Sequence, residues 1–145
     1  MVFRDGALRN NNPIFELVHE IQSEFADRDI STIVSLGSGV SASIHLGKGL
    51  VSVGKACVKI ATDTESTADR FVETYCAAGA GPYREKYFRF NVTQGLQHVG
   101  LQEWQKHDLM SANTLSYLAK TEQREKLGNC ANRLKMSSIE YVSPC

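Results

Sequence analysis

The sequence has no excess of charge of either sign and no long apolar run. Its 16 basic and 16 acidic residues give a net charge of zero, and the basic residues are dispersed, so the electrostatic footprint of a nucleic-acid-binding protein is absent. No apolar segment approaches the roughly 20 residues that span a bilayer, and the first residues lack the apolar stretch of a signal peptide. These absences predict a soluble, cytoplasmic protein with no nucleic-acid partner.

Closely spaced metal ligands are also missing. The four cysteines lie far apart, with no C-x-x-C pair, at Cys57, Cys76, Cys130 and Cys145. Because structural zinc sites and redox pairs need close spacing, we expect reduced thiols and no metal. None of the histidines has a partner at a spacing that indicates catalysis; they are His19, His45, His98 and His107.

The apolar residues follow first a helical and then a strand periodicity. Asn12 and Pro13 suit the cap and the first position of a helix of about 13 residues. The β-branched run Ile30–Leu36 stops at Gly37 and predicts a buried parallel strand. In Tyr87–Val92 every second residue is apolar, which predicts a second strand. This alternation of helices and strands indicates the α/β class.

Helical patterns occupy much of the remaining chain. They cover parts of residues 50–75, where the polar run Asp63–Ser66 could interrupt the helix, and residues 109–118 and 122–134. The last of these helices carries an apolar stripe of Leu127, Cys130, Ala131 and Leu134. Trp104 with Leu101 could touch lipid, but a lone tryptophan at helical spacing is more often in the core, where we expect it. Residues 135–145 are expected to form a loose tail.

Three segments carry motifs in a fixed order along the chain. Asp5-Gly6-Ala7 is followed by the turn Asn10–Pro13, then comes Thr32–Gly39 (TIVSLGSG), and finally Tyr87–Val92 with Gln94-Gly95-Leu96. In this order they resemble the patatin-like phospholipases, and the last segment resembles that of the fungal members. A lone Asp-Gly marks only a turn. Three motifs in the family's order, in a resemblance that runs from residue 3 to about residue 134, are a much stronger sign of this family.

The resemblance implies both a fold and a catalytic residue. Residues 1–134 would be the C-terminal part of a three-layer α/β/α domain, with a mostly parallel sheet and flanking helices. Asp5 would be the aspartate of a Ser–Asp dyad, within hydrogen-bond reach of the serine hydroxyl, with no cofactor and no metal. The family carries a G-x-S-x-G nucleophile before this aspartate, and no serine of this sequence has that setting. We therefore interpret the chain as the part that holds the aspartate but not the nucleophile.

The implied function is hydrolysis of acyl esters in phospholipids or acylglycerols. A lipid substrate, peripheral membrane contact and further domains in a longer parent protein would accompany it. The alternative is a catalytically inactive module that binds lipid or a protein partner. An in-frame G-x-S-x-G in upstream sequence would distinguish the two, because that serine forms the acyl-enzyme.

The glycine turn after the first strand allows a third interpretation. Residues 37–42 fit G-x-G-x-x-A, and Asp63 follows at about the distance of the acidic residue in a dinucleotide-binding fingerprint. That fingerprint requires a helix that opens at the glycines, and residues 43–49 look irregular instead. We favour a tight turn that lines one side of an acyl hydrolase cleft.

Overall fold

The computed structural model describes residues 10–40, 63–77, 81–97, 99 and 103–140. These residues form a mixed α/β structure, so the predicted class is confirmed at that level. The helices and strands in chain order are α1 (Ile14–Glu24), β1 (Ile33–Leu36), α2 (Thr64–Tyr75), β2 (Tyr87–Phe90), α3 (His107–Leu118) and α4 (Thr121–Glu140). A 3-10 turn, Trp104–Lys106, leads into α3.

The two strands pair in parallel, with Leu36 opposite Phe90. Pairing continues past the strand ends, because the N–H of Gly37 donates to the Phe90 carbonyl (2.8 Å) and the N–H of Val40 donates to the Val92 carbonyl (2.9 Å). Parallel strands require a crossover connection, and α2 lies within it. The carboxyl ends of β1 and β2 therefore lie side by side.

Phe71 of α2 is the centre of the first core, which packs α1 and α2 on one face of the sheet. Its side chain is fully buried, and its ring centroid lies 4.8 Å from that of Tyr87 on β2 and 5.7 Å from that of Phe15 on α1. Aromatic pairs at these separations stabilise beyond their buried area. The buried members of this core are Ile14, Val18, Ile33, Phe71 and Tyr83.

A second core covers the opposite face of β2. Phe88, Phe90 and Val92 are all buried, which confirms the alternation predicted for this strand. They form one cluster with Tyr117 of α3 and Cys130 of α4. Because successive strand residues point to opposite faces, helices lie on both faces of the sheet.

β1 is not the buried strand that its sequence predicts. Ile33 is buried, but Val34 is 42% exposed and Leu36 is 77% exposed. A continuous apolar run is typical of a strand covered on both faces. Here the second core is built on β2 and includes no residue of β1, so this face of β1 stays open. Apolar composition alone does not determine which element covers a face.

The helix starts also differ from the predicted ones. The N-cap of α1 is Pro13 instead of Asn12, and the Asn12 amide donates to the Thr64 carbonyl (3.0 Å) in a tertiary contact. Asp63 is the N-cap of α2, since its carboxylate accepts from the N–H groups of Glu65 and Ser66; the part of the predicted helix before it, residues 50–62, lies outside the described residues. Asn and Asp serve caps and turns equally well, and for Asn12 a tertiary contact decided between these roles.

The apolar stripe of α4 is only partly used. Cys130 is buried, while Leu127 and Leu134 are nearly half exposed. Among the residues of this stripe, Cys130 packs against the second strand, while the two leucines are covered only in part. The helix continues past the predicted boundary at Leu134 to Glu140, and it enters the segment expected to be a tail.

Trp104 lies at the surface, 73% exposed, so its predicted core position is wrong. The side of a helix that faces the core is recognised from apolar residues that recur at helical spacing. A single tryptophan supplies no such repeat. Among the described residues, none of the helices combines the length and the apolar character needed to cross a membrane.

We expect Phe71→Ala to lower the free energy of unfolding by about 3–5 kcal/mol, the usual effect of deleting a buried phenylalanine ring. Urea denaturation followed by circular dichroism measures it, since the exposed Trp104 reports poorly on the core. The control is Phe25→Ala, which removes the same ring from a position that is 46% exposed and should change stability by no more than about 1 kcal/mol. Equal losses in the two variants would contradict the central place of Phe71.

Candidate functional site at the carboxyl ends of the strands

Polar residues gather where β1 and β2 end. The turn Gly37–Gly39 follows β1, Asn91 follows β2, and the first residues of α2 lie against both. Ligands of open parallel sheets usually bind outside the carboxyl ends of the strands. This end of the sheet is therefore the candidate functional site.

Both glycines of the turn are required by residues of the later Tyr87–Leu96 segment. Gly39 has φ +109°, a conformation that other residues rarely adopt, and a Cβ there would lie 3.0 Å from the Leu96 side chain. A Cβ on Gly37 would overlap the carboxamide of Asn91. The Gly-Ser-Gly sequence is thus explained by the close approach of Asn91 and Leu96.

The Asn91 side chain is buried and makes two hydrogen bonds of opposite polarity. Its Oδ1 accepts from the N–H of Gly39 at 2.7 Å, and its Nδ2 donates to Oε1 of Glu65 at 2.9 Å. The Asn91 backbone N–H donates to the Tyr117 hydroxyl (3.4 Å), which donates to Oε1 of Gln123 (2.7 Å). The network therefore runs from α4 and α3 to the glycine turn.

Arg89 holds the start of α2 against both strands. Its guanidinium forms an ion pair with Glu65 and donates to the hydroxyls of Ser35 (2.8 Å) and Thr64 (3.2 Å). The Arg89 side chain is only 10% exposed, and a charge buried to this extent needs its partner. Beside this pair, burial raises the pKa of the Tyr87 hydroxyl, while Ser35 and Arg89 act in the opposite direction.

A cleft of about 310 Å³ lies between the start of α1 and β1. Residues 11–14 and Leu17 form one side, residues 34–38 form the other, and Thr64 and Arg89 reach its polar end. A second cleft of about 480 Å³ lies between α2, β2 and α4, and both Glu65 and Asn91 line it. The Arg89 side chain contributes to both clefts.

Asp5, the predicted catalytic aspartate, lies outside the described residues. The Asn10–Pro13 turn that follows it lines the first cleft together with the Gly37–Gly39 turn, and that turn is bonded to Asn91. The described parts of the three resemblance segments thus meet at one end of the sheet.

The histidines and cysteines within the described residues form no site. His19 and His107 are exposed, and His107 contacts only its neighbour Asp108 (3.1 Å) at the surface. Burial raises the pKa of the Cys76 thiol, and both Cys76 and Cys130 are free thiols. In this part of the chain no three His, Cys, Asp or Glu side chains are grouped to hold a metal ion. His45, His98, Cys57 and Cys145 lie outside it.

The dinucleotide interpretation fits the turn poorly. A phosphate-binding glycine loop presents free backbone N–H groups to the ligand, whereas the Gly39 N–H is already bonded to Asn91. The Asp63 carboxylate, which would bind a ribose, caps α2. The helix that should open after the glycines falls in residues 41–62, outside the described part.

Sequence analysis missed most of the polar network. Arg89 and Asn91 occupy the polar alternate positions of the second strand, and such positions are ordinarily solvated. The only signal was that both belong to a resemblance segment. The sequence carries no signal for Tyr117 and Gln123, because the Asn91 backbone to which they connect lies far away in sequence.

Comparisons of the chain with protein-family models, with curated proteins and with solved structures gave no match. A functional assignment therefore rests on the motif resemblance and on the geometry of this site.

Gly39→Val should destabilise the fold by about 1–3 kcal/mol, because a β-branched residue tolerates a positive φ poorly. Urea denaturation measures the loss. The matched control is Gly128→Ala in α4, where a Cβ would meet nothing within 4 Å. Because alanine has the higher helix propensity, this change should raise the free energy of unfolding by about 0.5–1 kcal/mol. A neutral Gly39→Val would contradict the strained turn.

We expect no change of melting temperature when NAD is added up to millimolar concentration. Ligand bound at a hundredfold excess over Kd would add about 2.7 kcal/mol to the free energy of unfolding, an effect that differential scanning fluorimetry detects readily. A shift that Gly39→Val abolishes would favour the dinucleotide interpretation instead.

Proposed function

We propose that this chain carries the C-terminal part of a patatin-like lipid acyl hydrolase domain, with Asp5 as the aspartate of a Ser–Asp dyad. The observation that supports it most is that the described parts of the three resemblance segments meet at the carboxyl ends of β1 and β2. Gly37 and Gly39 of the second segment are required by Asn91 and Leu96 of the third. Short motifs that matched by chance would not be expected to show such a dependence. In the proposed domain the open face of β1, which carries Val34 and Leu36, is covered by parts of the domain outside the described residues.

The proposed chemistry needs two residues in contact. A serine hydroxyl attacks the ester carbonyl carbon while Asp5 accepts its proton, and the alcohol then leaves with that proton as the acyl-enzyme forms. Water, deprotonated by the same aspartate, attacks the acyl-enzyme carbonyl carbon; the bond to the serine oxygen breaks, this oxygen takes the proton back from Asp5, and the fatty acid is released. The serine of a G-x-S-x-G elbow is not among these 145 residues, so sequence outside them has to supply it.

The composition of the first cleft agrees with an amphiphilic substrate. Leu17 on one side and Val34 and Leu36 on the other are apolar, while Thr64 and Arg89 lie at its polar end. An acyl chain fits between these apolar side chains, and an ester or headgroup fits the polar end. A cytoplasmic enzyme with peripheral membrane contact is part of this proposal.

A catalytically inactive module that binds lipid or a protein partner is the second candidate. It is favoured by the absence of the nucleophile motif from this sequence and by large exposed apolar side chains such as Leu36 and Trp104. Esterase activity of a longer chain that contains the nucleophile motif separates the enzyme from this candidate.

The 145-residue chain by itself should hydrolyse no chromogenic short-chain ester and should not react with a fluorophosphonate probe, because the acyl-accepting serine is absent. Intact-mass spectrometry after incubation with the probe provides the measurement. Stoichiometric labelling of any serine would show that the nucleophile had been misassigned.

In a longer chain from the same reading frame that contains G-x-S-x-G, Asp5→Asn should reduce kcat/KM at least about 100-fold, the lower figure for loss of a positioned general base. The carboxamide keeps the size of the side chain but removes the base. Asp108→Asn, the same change at an exposed surface position, is the control and should leave activity intact. Half-normal activity in Asp5→Asn would refute the dyad assignment.

A further inference from the structure

The two side-chain bonds of Asn91 leave its carboxamide a single orientation. One end must accept, because the Gly39 group that it meets is an N–H, and the other end must donate, because the Glu65 group is a carboxylate oxygen. A carboxamide is the side-chain group that offers an acceptor and a donor in this way. Rotating it by 180° would break both bonds.

Glu65 is itself held in place by Arg89. The guanidinium bonds this carboxylate through Nε (3.0 Å) and Nη2, and it also bonds the Ser35 and Thr64 hydroxyls. The orientation of the Asn91 carboxamide is thus set by an ion pair that joins β2 to the start of α2. Charge-assisted bonds of this kind are stronger than neutral ones.

The bond from Gly39 also fixes the direction of a peptide group at the cleft. In a trans peptide the carbonyl of one residue points opposite to the N–H of the next, and no cis peptide bond occurs in the described residues. With the Gly39 N–H on Asn91, the Ser38 carbonyl is directed away from Asn91. This peptide therefore cannot donate to a developing oxyanion, since its only donor is already used.

We propose that Asn91 is a positioning residue, which fixes the Gly37–Gly39 turn beside the proposed active site through a carboxamide oriented by the Glu65–Arg89 pair. Its consequence for catalysis rests on the proposed function, whereas its effect on the turn does not. Asn91 touches neither substrate nor reacting atoms in this role. The Tyr117 hydroxyl of α3 accepts from the Asn91 backbone N–H and donates in turn to Gln123 of α4.

The turn can be followed in the 145-residue chain by hydrogen exchange of the Gly39 amide with NMR detection. Asn91→Ala should lower the protection factor of this amide about tenfold, the usual effect of losing one intramolecular hydrogen bond. An unchanged protection factor in a folded Asn91→Ala variant would overturn the proposal.

A swapped pair keeps the proposal testable if Asn91→Ala fails to fold. Asn91→Asp alone places two carboxylates together, whereas with Glu65→Gln the new amide can donate to the new carboxylate and Arg89 keeps an anionic neighbour. The double variant should therefore recover the Gly39 protection and the urea midpoint that Asn91→Asp loses. Asn132→Asp, the same change on the exposed side of α4, should alter neither. Purely additive effects of the two substitutions would refute the oriented carboxamide.

The catalytic consequence is measured in the longer chain that contains the nucleophile. Asn91→Asp should lower kcat with little change of KM, and Glu65→Gln in the same chain should restore it. An unsubstituted longer chain without esterase activity would reject the proposed function, and the Gly39 exchange data would still decide whether Asn91 positions the turn. Normal kcat in an Asn91→Asp enzyme whose Gly39 amide has lost protection would overturn the link to catalysis.

Discussion

The parallel pairing of β1 with β2 is the interaction on which the rest of the described structure depends. Because the strands run in the same direction, their carboxyl ends meet, and this brings the glycine turn after β1 to Asn91 after β2. The backbone pairing extends through Gly37 and Val40, so the turn is an extension of the sheet. An antiparallel pair would have placed these two segments at opposite ends.

Two hydrophobic cores hold this pair in place, one on each face of the sheet. On one face an aromatic cluster around Phe71 joins α1 and α2 to the sheet, and on the other face apolar residues of β2 pack under α3 and α4. The polar network of Glu65, Arg89 and Asn91 lies at the end of the sheet, between these layers. Buried polar groups are tolerated only when their bonds are satisfied, and here each of the three has partners on another element.

One face of β1 is covered by neither core. Leu36 and Val34 remain open although their sequence is that of a buried strand. A strand edge with exposed apolar residues is ordinarily covered or paired in native proteins. The exposure of these apolar side chains agrees with the proposal that other parts of the domain cover this face of β1. It agrees equally with an apolar partner that covers them.

The sequence by itself determined the local structure: the period of α1, the alternation of β2, the stop of β1 at Gly37 and the mixed α/β class. These depend on neighbouring residues, whose side chains point in directions set by the backbone. Only the tertiary structure decided that Trp104 and Leu134 are exposed, that Asn12 bonds α2 instead of capping α1, and that Asn91 requires Gly37. Such choices depend on contacts between residues distant in sequence, and local periodicity carries no information about those contacts.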